Sequence, residues 1–137
     1  MIYLDTSFLY SLIMKDKMHP FCRIIWDDTQ SQRLTVAVSM LTICETLSLI
    51  ENRDRISKIE VINRIKSILK VQKCRFIGSD SVNVFKEAVP LWQKYGNVDF
   101  FDILHYLTMK SMGIEEIYSL DEHFDLFLDI RRVFKSV

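Results

Sequence analysis

The sequence predicts an α/β protein: three α/β/α layers around a short central parallel sheet of four to five strands, in one domain spanning residues 1–137. Three observations predict it. Short strand-like runs alternate with longer stretches of helical apolar spacing, the pattern of a parallel sheet covered on both faces. Hydrophobic residues make up 49% of the 137, enough for a real core. Only 3 glycines and 2 prolines occur, which argues against disorder.

Ile2-Tyr3-Leu4 reads as a buried strand, and residues 6–14 have helical spacing. A second helix covers 18–30 and begins near Pro20. Leu34 to Val38 is a β-branched apolar run, hence a strand. Ser39 is placed to cap a helix over about 40–53. Across 57–71, Ile56, Ile59, Ile62, Ile65, Ile68 and Leu69 make an amphipathic helical pattern. Arg75 to Ile77 is strand-like. Ser79 or Ser81 caps a helix running to Tyr95, with Gly96 as its stop. Asp99 caps another helix to about Met112, stopped by Gly113. Ile117 and Tyr118 form a strand ending near Asp121, and Val133 and Phe134 a last edge strand. Ligands of such sheets bind at the carboxyl ends of the strands. Asp5 and Asp121 both lie just past a strand.

Eighteen basic residues balance 18 acidic ones, so net charge gives no reason to expect nucleic acid. The distribution is less even. Arg53, Arg55, Lys58, Arg64, Lys66, Lys70, Lys73 and Arg75 cluster against Asp54 and Glu60, as solvated helix surface or as a phosphate-tracking face. No apolar stretch reaches the roughly 18 residues of a membrane span, and no signal sequence opens the chain. Cys22, Cys44 and Cys74 include no CxxC pair. They read as buried thiols of a reduced cytoplasmic protein, not as a zinc site.

Four acids stand in apolar settings. Asp5 precedes every other acid or base up to Lys15, and Glu45 is the only charge between Arg33 and Glu51. A carboxylate in such surroundings pairs with an arginine or hydroxyl, faces water, or binds a metal. Asp99 and Asp102 open a helix whose apolar face is Phe100, Ile103, Leu104 and Leu107. Asp99 is an N-cap; Asp102 lies off that face, near the positive helix end. Asp121 ends a strand before a short helix and is again a possible cap. Two carboxylates about 4 Å apart repel by roughly 4 kcal/mol at an effective dielectric near 20. Four brought together therefore take up protons or admit a cation, and oxygen ligands favour Mg²⁺ or Mn²⁺ over zinc.

These blocks resemble the PIN-domain ribonucleases, including the VapC-type toxins. Leu4-Asp5-Thr6-Ser7 is similar to the family's opening block, and Ser39 through Leu47, with Glu45, to its second. Asn97-Val98-Asp99-Phe100-Phe101-Asp102 resembles the third, and Ser119-Leu120-Asp121-Glu122-His123-Phe124 the fourth. They occur in order over nearly the whole chain. The resemblance implies a PIN-like fold and a metal-dependent endoribonuclease that hydrolyses RNA to 3′-hydroxyl and 5′-phosphate ends. It implies Asp5, Glu45, Asp102 and Asp121 as the catalytic acids holding Mg²⁺ or Mn²⁺. Thr6, Ser7 and Ser119 would be hydroxyls that orient carboxylates or bound waters. It also implies a homodimer and, for a toxin, a small antitoxin protein as partner.

There are departures. Asp99 stands where the family usually has serine, so it joins the site or merely caps. His105 replaces a small or aliphatic residue one turn after Asp102, within reach of the same face; it touches the site or, more simply, is a helix-surface or core histidine. His123 is read as structural and His19 as a surface residue. Lys15, Lys17 and the mid-chain basic group are candidate phosphate contacts. Tyr10, Trp26 and Trp92 are candidate base-stackers for which core packing is the simpler role.

The alternative reading is a catalytically inactive PIN-like module that binds RNA or protein; the presence of all four acids disfavours it. A phospho-acceptor receiver domain needs an acidic pair near the first strand, and Asp5 is solitary. A haloacid-dehalogenase-like phosphatase needs Asp-x-Asp there, and position 7 is serine.

Overall fold

A computed structural model describes residues 1–53, 56–78 and 81–133. The elements run β1 (Ile2–Leu4), α1 (Thr6–Met14), α2 (His19–Gln30), β2 (Val36–Ser39), α3 (Met40–Arg53), α4 (Lys58–Leu69), β3 (Cys74–Ile77), α5 (Ser81–Lys94), α6 (Phe100–Ser111), β4 (Glu116–Tyr118) and β5 (Arg131–Val133). A 3₁₀ helix, Glu122–Leu126, follows β4. The five strands pair in parallel, in the order β3-β2-β1-β4-β5. The sheet thus has the larger of the two expected strand numbers.

Alternation along the strands builds two cores. Ile2, Leu4, Val36, Val38 and Tyr118 pack with Phe8, Leu9, Ile25, Trp26, Ile43 and Ile65 on one face. Tyr3, Ala37 and Ile117 pack with Val84, Ala88, Ile103, Leu107 and Phe124 on the other. Helices α1 to α4 therefore cover one face and α5 with α6 the other. Because both faces are buried, β1 and β2 carry almost no polar residues and lack an apolar–polar alternation.

Several expectations shift in detail. The strand expected from Leu34 begins at Val36, because Arg33 and Leu34 still donate their N–H groups back to Asp28 O at the end of α2. Cys22 and Cys74 are buried as expected, but Cys44 is exposed on α3. Trp26 is a core residue, whereas Trp92 is half-exposed. Gly113 ends α6 in the left-handed region (φ +67°), where a Cβ would be strained. Gly96 follows α5 without that conformation. Phe134, Ser79, Asp54 and Arg55, each named above, lie outside the described residues.

Two of the mid-chain cations are ion-paired. Lys58 pairs with Glu51 at 3.7 Å, and Arg64 pairs with Glu60 while donating to Ile13 O. Lys73 O accepts from Val36 N at 2.9 Å, which sets Lys73 at the amino edge of the sheet. The strand-terminal acids lie at the opposite edge. Among the described residues no helix is long and apolar enough to cross a membrane.

Candidate functional site

The chain brings its lone acids to the carboxyl edge of the sheet. Asp5 follows β1 and is the N-cap of α1, and its backbone N–H donates to Tyr118 O at 3.2 Å. An N-cap aspartate ordinarily accepts from a backbone N–H of its own helix. The Asp5 carboxylate does not. Its Oδ2 accepts instead from Ser119 Oγ at 2.6 Å and Ser7 Oγ at 3.1 Å. Those hydroxyls are themselves held: Asp121 N donates to Ser119 Oγ at 3.0 Å and Leu120 N to Ser7 Oγ at 3.2 Å. Asp5 is thereby held by one hydroxyl from the first turn of α1 and one from the end of β4, and is buried.

Ser39, the last residue of β2, caps α3 by accepting from Thr42 N at 3.2 Å. Glu45 lies farther along α3, and its Oε1 accepts from the Thr6 hydroxyl. His105, on α6 and wholly buried, places Nε2 3.1 Å from the same oxygen and 3.7 Å from Asp5 Oδ1. Burial raises the Glu45 carboxyl, but the hydrogen bonds from His105 and Thr6 and the charge of His105 outweigh it. The group is held below the usual carboxylate range.

Asp102 sits in the first turn of α6, largely buried, and Asp121 follows β4. Burial pushes the Asp102 carboxyl up to about 8, helped by the charges of Asp121, Asp5 and Asp99 and by a hydrogen bond with Asp121. Half-exposed His123 places Nδ1 3.2 Å from Asp121 Oδ1 and 3.8 Å from Asp102 Oδ2. Asp121 Oδ1 also accepts from His123 N at 2.9 Å, capping the 3₁₀ helix.

The four acids thus converge as two adjacent triplets. Ligand atoms of Asp5, Glu45 and His105 lie within 4.8 Å of one another, as do those of Asp102, Asp121 and His123. The influence of Asp5 on Asp102 joins the sets. Thr6, Ser7 and Ser119 all contact the acids. Asp99 belongs to neither triplet; its side chain caps α6 by accepting from Phe101 N at 2.8 Å.

His105 fills both expected roles: it lies in the core and it touches the site, at Glu45. Tyr3 had no assigned role, and its hydroxyl meets His105 Nδ1 at 2.7 Å. Spacing carried a partial signal: His105 lies three residues after Asp102, on a neighbouring face of α6. Nothing in the local sequence ties Tyr3 to it, since the contact crosses from β1 to α6. His19 is a helix-start residue whose Nδ1 meets Ser11 O at 3.1 Å.

The donor set fits a hard divalent cation. Four carboxylates supply the oxygen atoms, and burial with three neighbouring acids makes the ionised form of Asp102 costly in the absence of a positive charge. The PIN domain model matches residues 2–127. The chain belongs to the PIN domain family. Its fold is also that of two solved structures. Mycobacterium tuberculosis VapC20, described as a sarcin-ricin loop cleaving toxin, superposes with a TM-score of 0.74 at 19% identity, over 98% of this chain and 100% of that one. VapBC2 from Rickettsia felis, bound to a DNA fragment from its promoter, gives 0.72 at 14% identity with the same coverage. No curated protein matches the sequence significantly. Asp5, Glu45, Asp102 and Asp121 all fall inside the matched PIN segment.

Proposed function

We propose that this PIN-domain protein is an endoribonuclease dependent on Mg²⁺ or Mn²⁺, acting as the toxin of a toxin–antitoxin pair. The observation that carries the reading is the convergence of Asp5, Glu45, Asp102 and Asp121 from four separate elements, with Asp102 pushed up to about 8. These four would hold the cation. A bound divalent ion supplies charge neutralisation for the phosphate and acidifies water.

The chain's own groups prepare that step. Ser119 and Ser7 fix Asp5, and Thr6 fixes Glu45, so two ligands are rigid before any cation arrives. Burial and the neighbouring acids favour a proton on Asp102, which would leave if a cation bound beside it. Water then attacks phosphorus in line and the P–O3′ bond breaks, leaving 3′-hydroxyl and 5′-phosphate ends.

Two protein partners belong to this reading. One is a second copy of the chain, for which the apolar stripe of α5 (Val82, Phe85, Val89, Trp92) is the exposed face. The other is a small antitoxin, supported by the likeness to VapBC2. The groove between α3 and α4, about 300 Å³ and lined by Leu47, Ile50, Ile56, Val61 and Ile62, is the apolar surface open to it.

The test is cleavage of intact tRNA and rRNA by purified protein with Mn²⁺, with Mg²⁺ and with chelator. Metal-dependent cutting that Asp5→Asn abolishes is expected. Equal cutting by the variant would point to a contaminant, and no cutting under either metal would return the protein to the binding-module reading.

A further inference from the structure

His105 invites an obvious role as a third metal ligand beside Asp5 and Glu45. The hydrogen atoms around it argue otherwise. The Thr6 hydroxyl gives its only proton to Glu45 Oε1, so toward His105 Nε2, 3.4 Å away, it can only accept. Glu45 Oε1 at 3.1 Å and Asp5 Oδ1 at 3.7 Å are carboxylate oxygens and also only accept. Nε2 therefore faces three acceptors and must carry the hydrogen.

The other ring nitrogen is compatible with this. Nδ1 meets Tyr3 Oη at 2.7 Å, and that hydroxyl is held by Ser39 Oγ at 2.6 Å and Thr42 Oγ1 at 3.1 Å. Thr42 in turn gives its proton to Leu4 O at 3.0 Å. Whether Tyr3 donates to Nδ1 or accepts from it, Nε2 keeps its proton. The Tyr3 ring meets the imidazole edge-on at 5.6 Å, which further fixes its plane.

We propose that His105 is a positioning residue, not a metal ligand: aimed by the Tyr3 hydroxyl, its Nε2–H pins Glu45 Oε1 and reserves the other Glu45 oxygen for the cation. Among the described residues Glu45 Oε1 takes both Thr6 and His105, and no hydrogen bond reaches Oε2. Buried partners that orient ligating groups commonly contribute 10- to 100-fold to metal affinity, roughly. The metal half of this inference rests on the nuclease reading; the proton half does not.

Two measurements separate them. Nitrogen-15 NMR of metal-free protein should show a proton on His105 Nε2, retained when Mg²⁺ is added. A bare Nε2, or one that loses its proton to Mg²⁺, overturns the proposal whatever the enzyme's activity. Mn²⁺ binding is then followed by electron paramagnetic resonance without RNA. His105→Leu should weaken it about tenfold, His105→Gln, which restores a donor at that reach, should recover most of it, and Tyr3→Phe should fall between. Melting temperature and amide spectra establish that each variant folds, Tyr3→Phe being the mildest change. Unaltered Mn²⁺ affinity in folded His105→Leu overturns the positioning role. Failure of wild type to bind either metal sinks the nuclease reading and the metal half, while the NMR result still decides the proton.

Discussion

Ser119 Oγ donates to Asp5 Oδ2 at 2.6 Å, joining residues 114 positions apart across the ends of two adjacent strands. The same oxygen accepts from Asp121 N, so one hydroxyl couples a buried carboxylate to the backbone that carries a second. Ser119→Ala should cost about 1–3 kcal/mol, since it leaves a buried acceptor short of a donor. In an Asp5→Asn background the same substitution should cost clearly less, because a neutral amide loses less than a carboxylate. Urea unfolding of the four proteins in chelator measures the coupling; simple additivity would deny that the two side chains interact.

Asp102 makes the metal-free protein sensitive to pH. Its carboxyl stands at about 8 in the fold against an ordinary 3.8, so the folded state binds a proton that the unfolded chain releases. The stability it contributes is fully present below pH 4 and is lost as pH rises through about 8. In chelator the melting temperature should fall across this window, and Asp102→Asn should flatten the slope. Saturating Mn²⁺ should reverse the wild-type trend, because the cation compensates the charge once the proton leaves. A wild-type slope unchanged by Asp102→Asn would place the charge strain elsewhere.

Asp99 separates a structural acid from the cluster. It caps α6, and only its longer-range charge reaches Asp102. Asp99→Ala should destabilise by about 1 kcal/mol through loss of the cap. Asp99→Ser keeps a capping oxygen and should restore stability while leaving Mn²⁺ affinity within about twofold of wild type. A large affinity loss in Asp99→Ser would make Asp99 a ligand.

Legibility in the sequence followed the range of the interaction. The strand Ile2–Leu4 and the caps Ser39 and Asp99 are written in a few neighbouring residues, and the fold places them within a residue or two. The start of β2 was less legible, because Arg33 and Leu34 are held by a carbonyl of the preceding helix. The isolation of Asp5 and Glu45 among apolar residues was readable one acid at a time. The Tyr3–His105–Glu45 line was not. It joins β1, α6 and α3, and a buried tyrosine looks the same in sequence whether its hydroxyl meets a ring nitrogen or ordered water. Trp92 was misleading for a related reason: aromatic residues at helical spacing predict burial, but α5 has one face in the core and a second apolar stripe beside it.

That stripe makes the last prediction. Val82, Phe85, Val89 and Trp92 are each between 38% and 62% exposed. Their spacing is its own reverse. A copy of α5 laid antiparallel sets Val82 opposite Trp92 and Phe85 opposite Val89, each small residue against a large one. An isologous two-fold contact needs this self-complementarity. Phe85 and Trp92, each about half exposed, offer roughly 200 Å². With the two valines this is most of the ~450 Å² of apolar area in one side of a standard interface. Sedimentation velocity should therefore show a wild-type dimer and a monomer for both Phe85→Glu and Trp92→Glu. Each ring also meets Phe100 edge-on, at 6.0 Å and 5.2 Å, so both variants should lose some melting temperature while keeping the wild-type amide spectrum. Trp92→Phe, which keeps an aromatic ring in place, should remain dimeric. A wild type that sediments as a monomer at its highest soluble concentration, or a dimer that survives both charge insertions, would remove α5 as the pairing face.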